Sequence, residues 1–272
     1  MSGPGLDATQ LERYARHVIM DEVGPVGQGK LLDASVLVVG AGGLGSPVIQ
    51  YLAAAGVGRI GIVDDDVVER SNLHRQVIHG EEDVGRLKVD SAADFASRLN
   101  PDVTVDRHAV RLTASTAPDL LEDYDVVCDG SDNFATRYLV NDVCTLAGVP
   151  FVHGAIYKFE GQVLTCDGEG PCYRCLFPEA PPAGAVPDCA STGVLGVLPG
   201  TIGTLQATEV LKLILERGES LTGRMLVYDA LGMGVDEVPI ERDPECSICG
   251  PDRIKSIAEV EYKEAGCAIR SD

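Results

Sequence analysis

The segment Gly40-Ala41-Gly42-Gly43-Leu44-Gly45 places Gly40, Gly42 and Gly45 in a GxGxxG spacing, after the apolar run Ser35–Val39 and before a helical pattern. Glycines there permit a tight turn and close backbone approach, and the helix they open presents free N–H groups to phosphate oxygens. Asp64 ends the next apolar run, about 20 residues on, where an acid meets ribose hydroxyls. An adenosine site follows, with the cofactor still open. Asn72, Arg75 and Gln76 then fall close together, and Lys88 opens another helical pattern. A dinucleotide that is recycled needs little of this, whereas a triphosphate undergoing substitution needs cations to stabilise developing charge. For Arg75 alone the alternative is a surface salt bridge.

In DVVCDGSDNFATRYLVND, Asp129 and Asp132 stand just beyond another strand's carboxyl end, where open α/β sheets bind ligands. Asp132 is suited to hold Mg²⁺, which arrives with substrate phosphates, with Asp129 as support. The alternative is helix capping, since Asp132 or Asn133 precedes a good helical run, and both roles are compatible. Cys172/Cys175 and Cys246/Cys249 form two CxxC pairs, far apart in sequence. Four thiolates in such pairs suit tetrahedral Zn²⁺, here as a staple between an insertion and the C-terminal region; two redox motifs are the alternative. Cys128 and Cys144 read as small buried apolar groups, and Cys267 as part of a tail.

These groups need a scaffold. SVLVV, RIGIV, VTVDRHAV, DVVCD and PFVHG read as strands, separated by helices over Leu44–Ala55, Val84–Leu99, Pro118–Leu121 and Phe134–Ala147. Apolar strands alternating with helices predict a Rossmann-like, mainly parallel α/β sheet covered on both faces. After Pro150 the alternation in IYKFEGQVLTC predicts antiparallel strands, and MLVYDALGMGVDEVPI a closing hairpin. Pro178–Pro187 has little capacity for regular structure, and Pro199–Glu216 reads as an apolar helix, by default core. Before the sheet, Leu11, Tyr14, Ala15 and Val18 predict one amphipathic helix over Ala8–Met20, with Arg13, Arg16 and His17 between them. The expected organisation is an N-terminal helical arm (1–30), one domain (31–250) with a loop insertion at about 166–198, and a tail (251–272).

The 272 residues carry 22 Lys and Arg against 42 Asp and Glu, a formal charge of −20. Attraction to nucleic acid or to an anionic membrane is thereby disfavoured. Six lysines in the whole chain, with abundant Asp, suggest a salt-adapted surface; an ordinary acidic cytosolic protein is the alternative. Neither a secretory leader nor a membrane span is read, so a cytoplasmic location with reduced cysteines is expected.

GAGGLG, DDDVVERSNLHRQ, VGRLK, DGSDNFATRYLVND, CYRC, GVLGVLPGTIGTLQATEVLK and CSIC, in this order, resemble the MoeB/ThiF family of ubiquitin-activating-type adenylyltransferases. The resemblance runs from about Arg13 to Gly250 and lacks a rhodanese extension. It implies Mg-ATP-dependent adenylylation of the C-terminal glycine of a small β-grasp carrier ending in Gly-Gly, for protein conjugation, tRNA thiolation or molybdopterin synthesis. Archaeal modifier proteins are among such carriers. In family terms Asp64 matches the ribose-binding acid, Arg75 and Lys88 phosphate ligands, Asn72 and Gln76 their supporting neighbours, and Asp132 the Mg²⁺-linked acid. RYARH matches RYxRQ, whose second Arg, here Arg16, is expected to enter the other subunit's ATP site; His17 stands where Gln is common. A homodimer and a sulfur-donor protein are implied as partners. The resemblance also implies a reactive Cys189 in PDCASTG, forming a thioester or acyl-disulfide or taking part in sulfur transfer; an incidental loop cysteine is the alternative.

Two other readings stay open at this level. An NAD-dependent oxidoreductase shares the glycine loop and Asp64 but leaves Arg75, Lys88, Asp132 and the cysteine pairs unexplained. A non-catalytic carrier-binding scaffold would have no need of Arg75, Lys88, Asp132 and Cys189.

Overall fold

The computed structural model describes residues 5–182 and 193–262. Cys189 and Cys267 therefore lie outside the described residues. An eight-stranded sheet runs in the order β3-β2-β1-β4-β5-β6-β7-β8. Its parallel part comprises β1 (Ser35–Val39), β2 (Arg59–Val63), β3 (Thr104–His108), β4 (Val126–Asp129) and β5 (Phe151–Tyr157). Strands β6 (Glu160–Cys166), β7 (Arg224–Asp229) and β8 (Gly234–Pro239) continue it antiparallel, and β7 and β8 form the expected hairpin.

The central strands are short and apolar because both faces are covered. On one face Val36, Val38, Ile60 and Ile62 pack with Val48 and Leu52 of helix Gly45–Ala55, Val89 of Lys88–Leu99, and Ile202 and Val210 of Leu198–Leu215. On the other, Leu37, Val39 and Val127 pack with Leu121 of helix Ala117–Leu121 and Leu139 and Val143 of Phe134–Ala147. Each fully buried Leu, Ile or Val contributes about 1.5–3 kcal/mol, so neither layer tolerates a slip of register. Gly61 shows how tight the second layer is, since a Cβ there would stand 2.3 Å from the Tyr124 hydroxyl.

Two expected helices are altered. The N-terminal helix breaks at Tyr14 into Ala8–Arg13 and Ala15–Val18, and Leu11 is exposed. Tyr14 is instead the anchor: its ring is buried against Gly56, and its hydroxyl accepts from Asn100 Nδ2 at 2.9 Å. Gly56 ends helix Gly45–Ala55 at φ 82°, a conformation that favours glycine, and the missing side chain leaves room for the phenol. The second correction concerns Val84–Leu99, where the helix begins only at Lys88. Gly85 at φ 88° and an extended Leu87 precede it, with Val67 and Leu87 bridged antiparallel. A further helix, Gly24–Asp33, enters the sheet and was masked in the sequence by its glycines and proline.

Candidate active site

Strand β1 lies between β2 and β4, so the chain leaves it in opposite directions and a crevice opens at the carboxyl edge of the sheet. A cleft of about 330 Å³ occupies that point, within the range of small-molecule sites. Gly40, Gly42, Gly43, Asp64, Arg75, Gln76, Lys88 and Asp132 line it together. Gly45, Asn72, Arg16 and Asp129, also singled out in the sequence, do not line it. Gly45 packs beneath the loop, where a Cβ would meet the Gly40 carbonyl oxygen at 1.8 Å. Asn72 is buried and accepts from the Glu69 backbone N–H, closing its own turn. Arg16 is exposed on helix Ala15–Val18 and is not part of the cleft wall.

The glycine loop is held from below and from the side. Gly40, at φ 91°, donates its N–H to Val63 and approaches Gly130 so closely that a Cβ would lie 3.2 Å from its carbonyl oxygen. Pro199 crowds Gly43, where a Cβ would lie 3.1 Å from the proline ring, and Arg75 Cδ stands 3.8 Å from the same point. Asp64 accepts from the Ala41 N–H at 2.8 Å and the Asp66 N–H at 2.9 Å. Burial raises the Asp64 carboxyl above its usual range, with Lys88 and the two N–H donors pulling the other way. Lys88 is itself buried and donates to Asp66 at 2.8 Å. Arg75 donates to the Ser71 carbonyl at 3.0 Å.

Sequence reasoning missed His79, which couples the loop to helix Lys88–Leu99. Its Nε2 lies 3.0 Å from the Ala41 carbonyl and its Nδ1 2.8 Å from Ser91 Oγ. A carbonyl only accepts, so Nε2 carries the proton, and burial keeps the imidazole neutral by lowering its pKa. A histidine within the apolar VIHG run was the available signal.

At the end of β4, Asn133 caps helix Phe134–Ala147 by accepting from Thr136 N–H at 2.8 Å. Asp132 is thereby left exposed on the cleft wall instead of serving as the cap. Asp129 is buried below the wall, accepting from Ser131 N–H at 3.0 Å and from His153 at 2.8 Å. Arg111, Ser131 and Arg137 also line the cleft and were not singled out in the sequence. Arg137 could have been, because it follows the cap by one helical turn.

The four cysteines of the CxxC pairs come together with their sulfurs within 4.8 Å of one another. Cys172 and Cys246 are 3.6 Å apart, and Cys175 and Cys249 3.3 Å. Those separations are far from a disulfide and near the ~3.8 Å edge of a tetrahedron with ~2.3 Å metal–sulfur bonds. The hydrogen bond shared by the Cys172 and Cys246 sulfurs, with the Cys249 and Ile248 N–H groups, lowers the Cys246 pKa. Arg174, between the first pair, donates twice to buried Asp142 at 2.7 Å and ties the cluster to helix Phe134–Ala147. Cys128 and Cys144 are buried, and burial raises both thiols well above their usual range. Among the described residues no helix is long and apolar enough to cross a membrane.

The model of the ThiF family matches residues 14–248. The SAMP-activating enzyme E1 of Haloferax volcanii is 61% identical, over 98% of this chain and 98% of that one. The sulfur carrier protein adenylyltransferase of Thermus thermophilus is 53% identical, over 96% of this chain and 98% of its own. Among solved structures, E. coli MccB with AMPCPP and MccA superposes with a TM-score of 0.79 at 25% identity, covering 90% of this chain and 75% of that one.

Proposed function

The chain belongs to the ThiF family, and from that premise we infer that its cleft adenylylates the C-terminal glycine of a small ubiquitin-like or sulfur-carrier protein. The observation that carries this reading is the convergence of the glycine loop, Asp64, Lys88, Arg75 and Asp132 on one cleft at the switch point of the sheet. An NAD-dependent oxidoreductase gives way, since the relatives are activating enzymes and adenylyltransferases.

ATP lies with its ribose hydroxyls on Asp64 and its phosphates over Gly40–Gly45, where Lys88 and Arg75 supply positive charge. The carrier's carboxylate oxygen attacks the α-phosphorus, and the bond to the bridging oxygen breaks. The electron pair leaves with pyrophosphate, and no net proton transfer is required. Bringing two anions together is the main obstacle, so the cations act chiefly by screening and by stabilising the leaving group. Asp132 would hold Mg²⁺, which supplies further charge neutralisation at the phosphates.

Arg16 is assigned to the site of a second copy in a homodimer; its exposure outside its own cleft supports that arrangement. The four cysteines would hold structural Zn²⁺, for which their spacing is suitable. Cys189 is assigned as the thiol that attacks the carrier adenylate, displacing AMP to form a thioester, or enters sulfur transfer from a donor protein. The products would serve conjugation, tRNA thiolation or molybdopterin synthesis in the cytoplasm.

Exchange of labelled pyrophosphate into ATP, dependent on a Gly-Gly-ending carrier, tests the central step. Exchange is expected. Its absence with every such carrier, from folded zinc-loaded protein, would overturn the reading in favour of a non-catalytic scaffold.

A further inference from the structure

Arg137 is the one cation of the cleft wall on the β4 side of the glycine loop among the described lining residues. It stands in the first turns of helix Phe134–Ala147 and is only 9% exposed. Its guanidinium carbon lies 4.8 Å from the Phe134 ring centroid and 5.9 Å from that of Tyr173. NH1 donates to the Tyr173 hydroxyl at a long 3.4 Å, and the buried Nε–H has no hydrogen-bond partner. Buried guanidinium groups are costly when their donors go unmet. The nearby carboxylate of Asp129 takes its hydrogen bonds from His153 and the Ser131 N–H.

A second unmet group shares this wall. Ser131 Oγ is buried, lines the cleft and also lacks a partner. A fixed fork of N–H donors beside a free hydroxyl suits a carboxylate, which has two oxygens to receive them. The placement agrees with the order of the strands. Asp64 ends β2, the glycine loop follows β1, and Arg137 follows β4, so an anion at Arg137 stands across the phosphate loop from the ribose site. Lys88 and Arg75, the remaining cations assigned to ATP, come from segments after β2.

We propose that Arg137, with Ser131 Oγ, forms the subsite for the carrier's C-terminal carboxylate and turns one oxygen toward the α-phosphorus. This rests on the adenylylation reading. The contribution of Arg137 is to bind and orient the nucleophile while offsetting its repulsion by the triphosphate.

The test is pyrophosphate exchange with the carrier that the unaltered enzyme uses best, measured for Arg137→Gln and Arg137→Lys, together with AMPCPP binding. Loss of a buried charge-assisted pair predicts a carrier KM raised at least about thirtyfold in Arg137→Gln. The ATP KM and AMPCPP affinity should stay within about threefold, and Arg137→Lys should recover part of the loss. A carrier KM unchanged in folded Arg137→Lys and Arg137→Gln would overturn the proposal while leaving adenylylation intact. A rise confined to the ATP KM would also overturn it, by making Arg137 a phosphate ligand. Should Arg137→Gln fail to fold, a carrier KM in Arg137→Lys equal to that of the unaltered enzyme overturns it, and a raised one with unaltered AMPCPP affinity sustains it. Absence of exchange by the unaltered enzyme removes the adenylylation reading, and this proposal with it.

Discussion

His153 Nδ1 donates to Asp129 at 2.8 Å, with both side chains sealed beneath the cleft wall. Burial alone would raise the Asp129 carboxyl, but the His153 hydrogen bond and the Arg137 charge hold it below its usual range. Burial lowers the His153 pKa, aided by Arg137 and opposed by Asp129. The pair is therefore a carboxylate with a neutral imidazole, and it fixes the Ser131 turn through the other Asp129 oxygen.

That pairing has a pH consequence. Burial lowers the pKa of His79, His108 and His153, so all three favour the neutral form in the fold. In the unfolded chain each takes up a proton near pH ~6.5. The unfolded state then binds more protons, and stability must fall as pH drops from about 6.5 toward the folded values. Each fully titrating histidine contributes up to about 1.4 kcal/mol per pH unit in that window. Melting curves from pH 7.5 to 5 at fixed salt should show the decline, and His79→Asn should make it shallower. A flat profile would contradict the neutral assignments.

Asp132 and Asn133 should separate chemistry from folding. Asp132→Ala is expected to reduce carrier-dependent exchange by at least about 100-fold with little change in Tm. Asn133→Ala removes the cap and should cost about 1 kcal/mol of stability while sparing most exchange. The opposite pattern would return Asp132 to a structural role.

The cysteine cluster predicts one zinc per chain by elemental analysis. Cys249→Ser should lower both the zinc content and the Tm, since metal binding to such a site is coupled to folding. A folded, metal-free chain with the same Tm as the metal-loaded protein would exclude a structural metal here.

Cys189→Ser should leave pyrophosphate exchange unchanged, because adenylylation precedes any use of the thiol. Formation of a carrier thioester, read as a reductant-sensitive adduct on a gel, or carrier thiolation should be lost. Full downstream activity in the variant would remove Cys189 from the pathway.

The formal charge of −20 predicts that Tm rises between low salt and molar KCl, as screening relieves self-repulsion. An ordinary acidic protein would show no such gain.

By itself the sequence determined the strand-and-helix alternation, the glycine loop with Asp64 after it, and the pairing of two CxxC motifs. All three rest on local rules: apolar periodicity, the conformational freedom of glycine, and the ligand chemistry of thiols. Strands Ser35–Val39 and Arg59–Val63 and helix Phe134–Ala147 were legible to the residue, because their flanking turns carry Gly, Asp or Asn. The late start of helix Lys88–Leu99 was not, since Val84 and Leu87 fit a helical stripe but bracket a left-handed Gly85.

What only the tertiary structure decided is which polar groups share an environment. Asn72 turned inward to close a turn, Asn133 took the cap that Asp132 offered equally well, and Tyr14 became a buried anchor in a broken helix. Arg137, His79 and His153 acquired their meaning from burial and from partners distant in sequence. Hydrogen-bond satisfaction and desolvation depend on the whole packed neighbourhood, and no spacing along the chain encodes them.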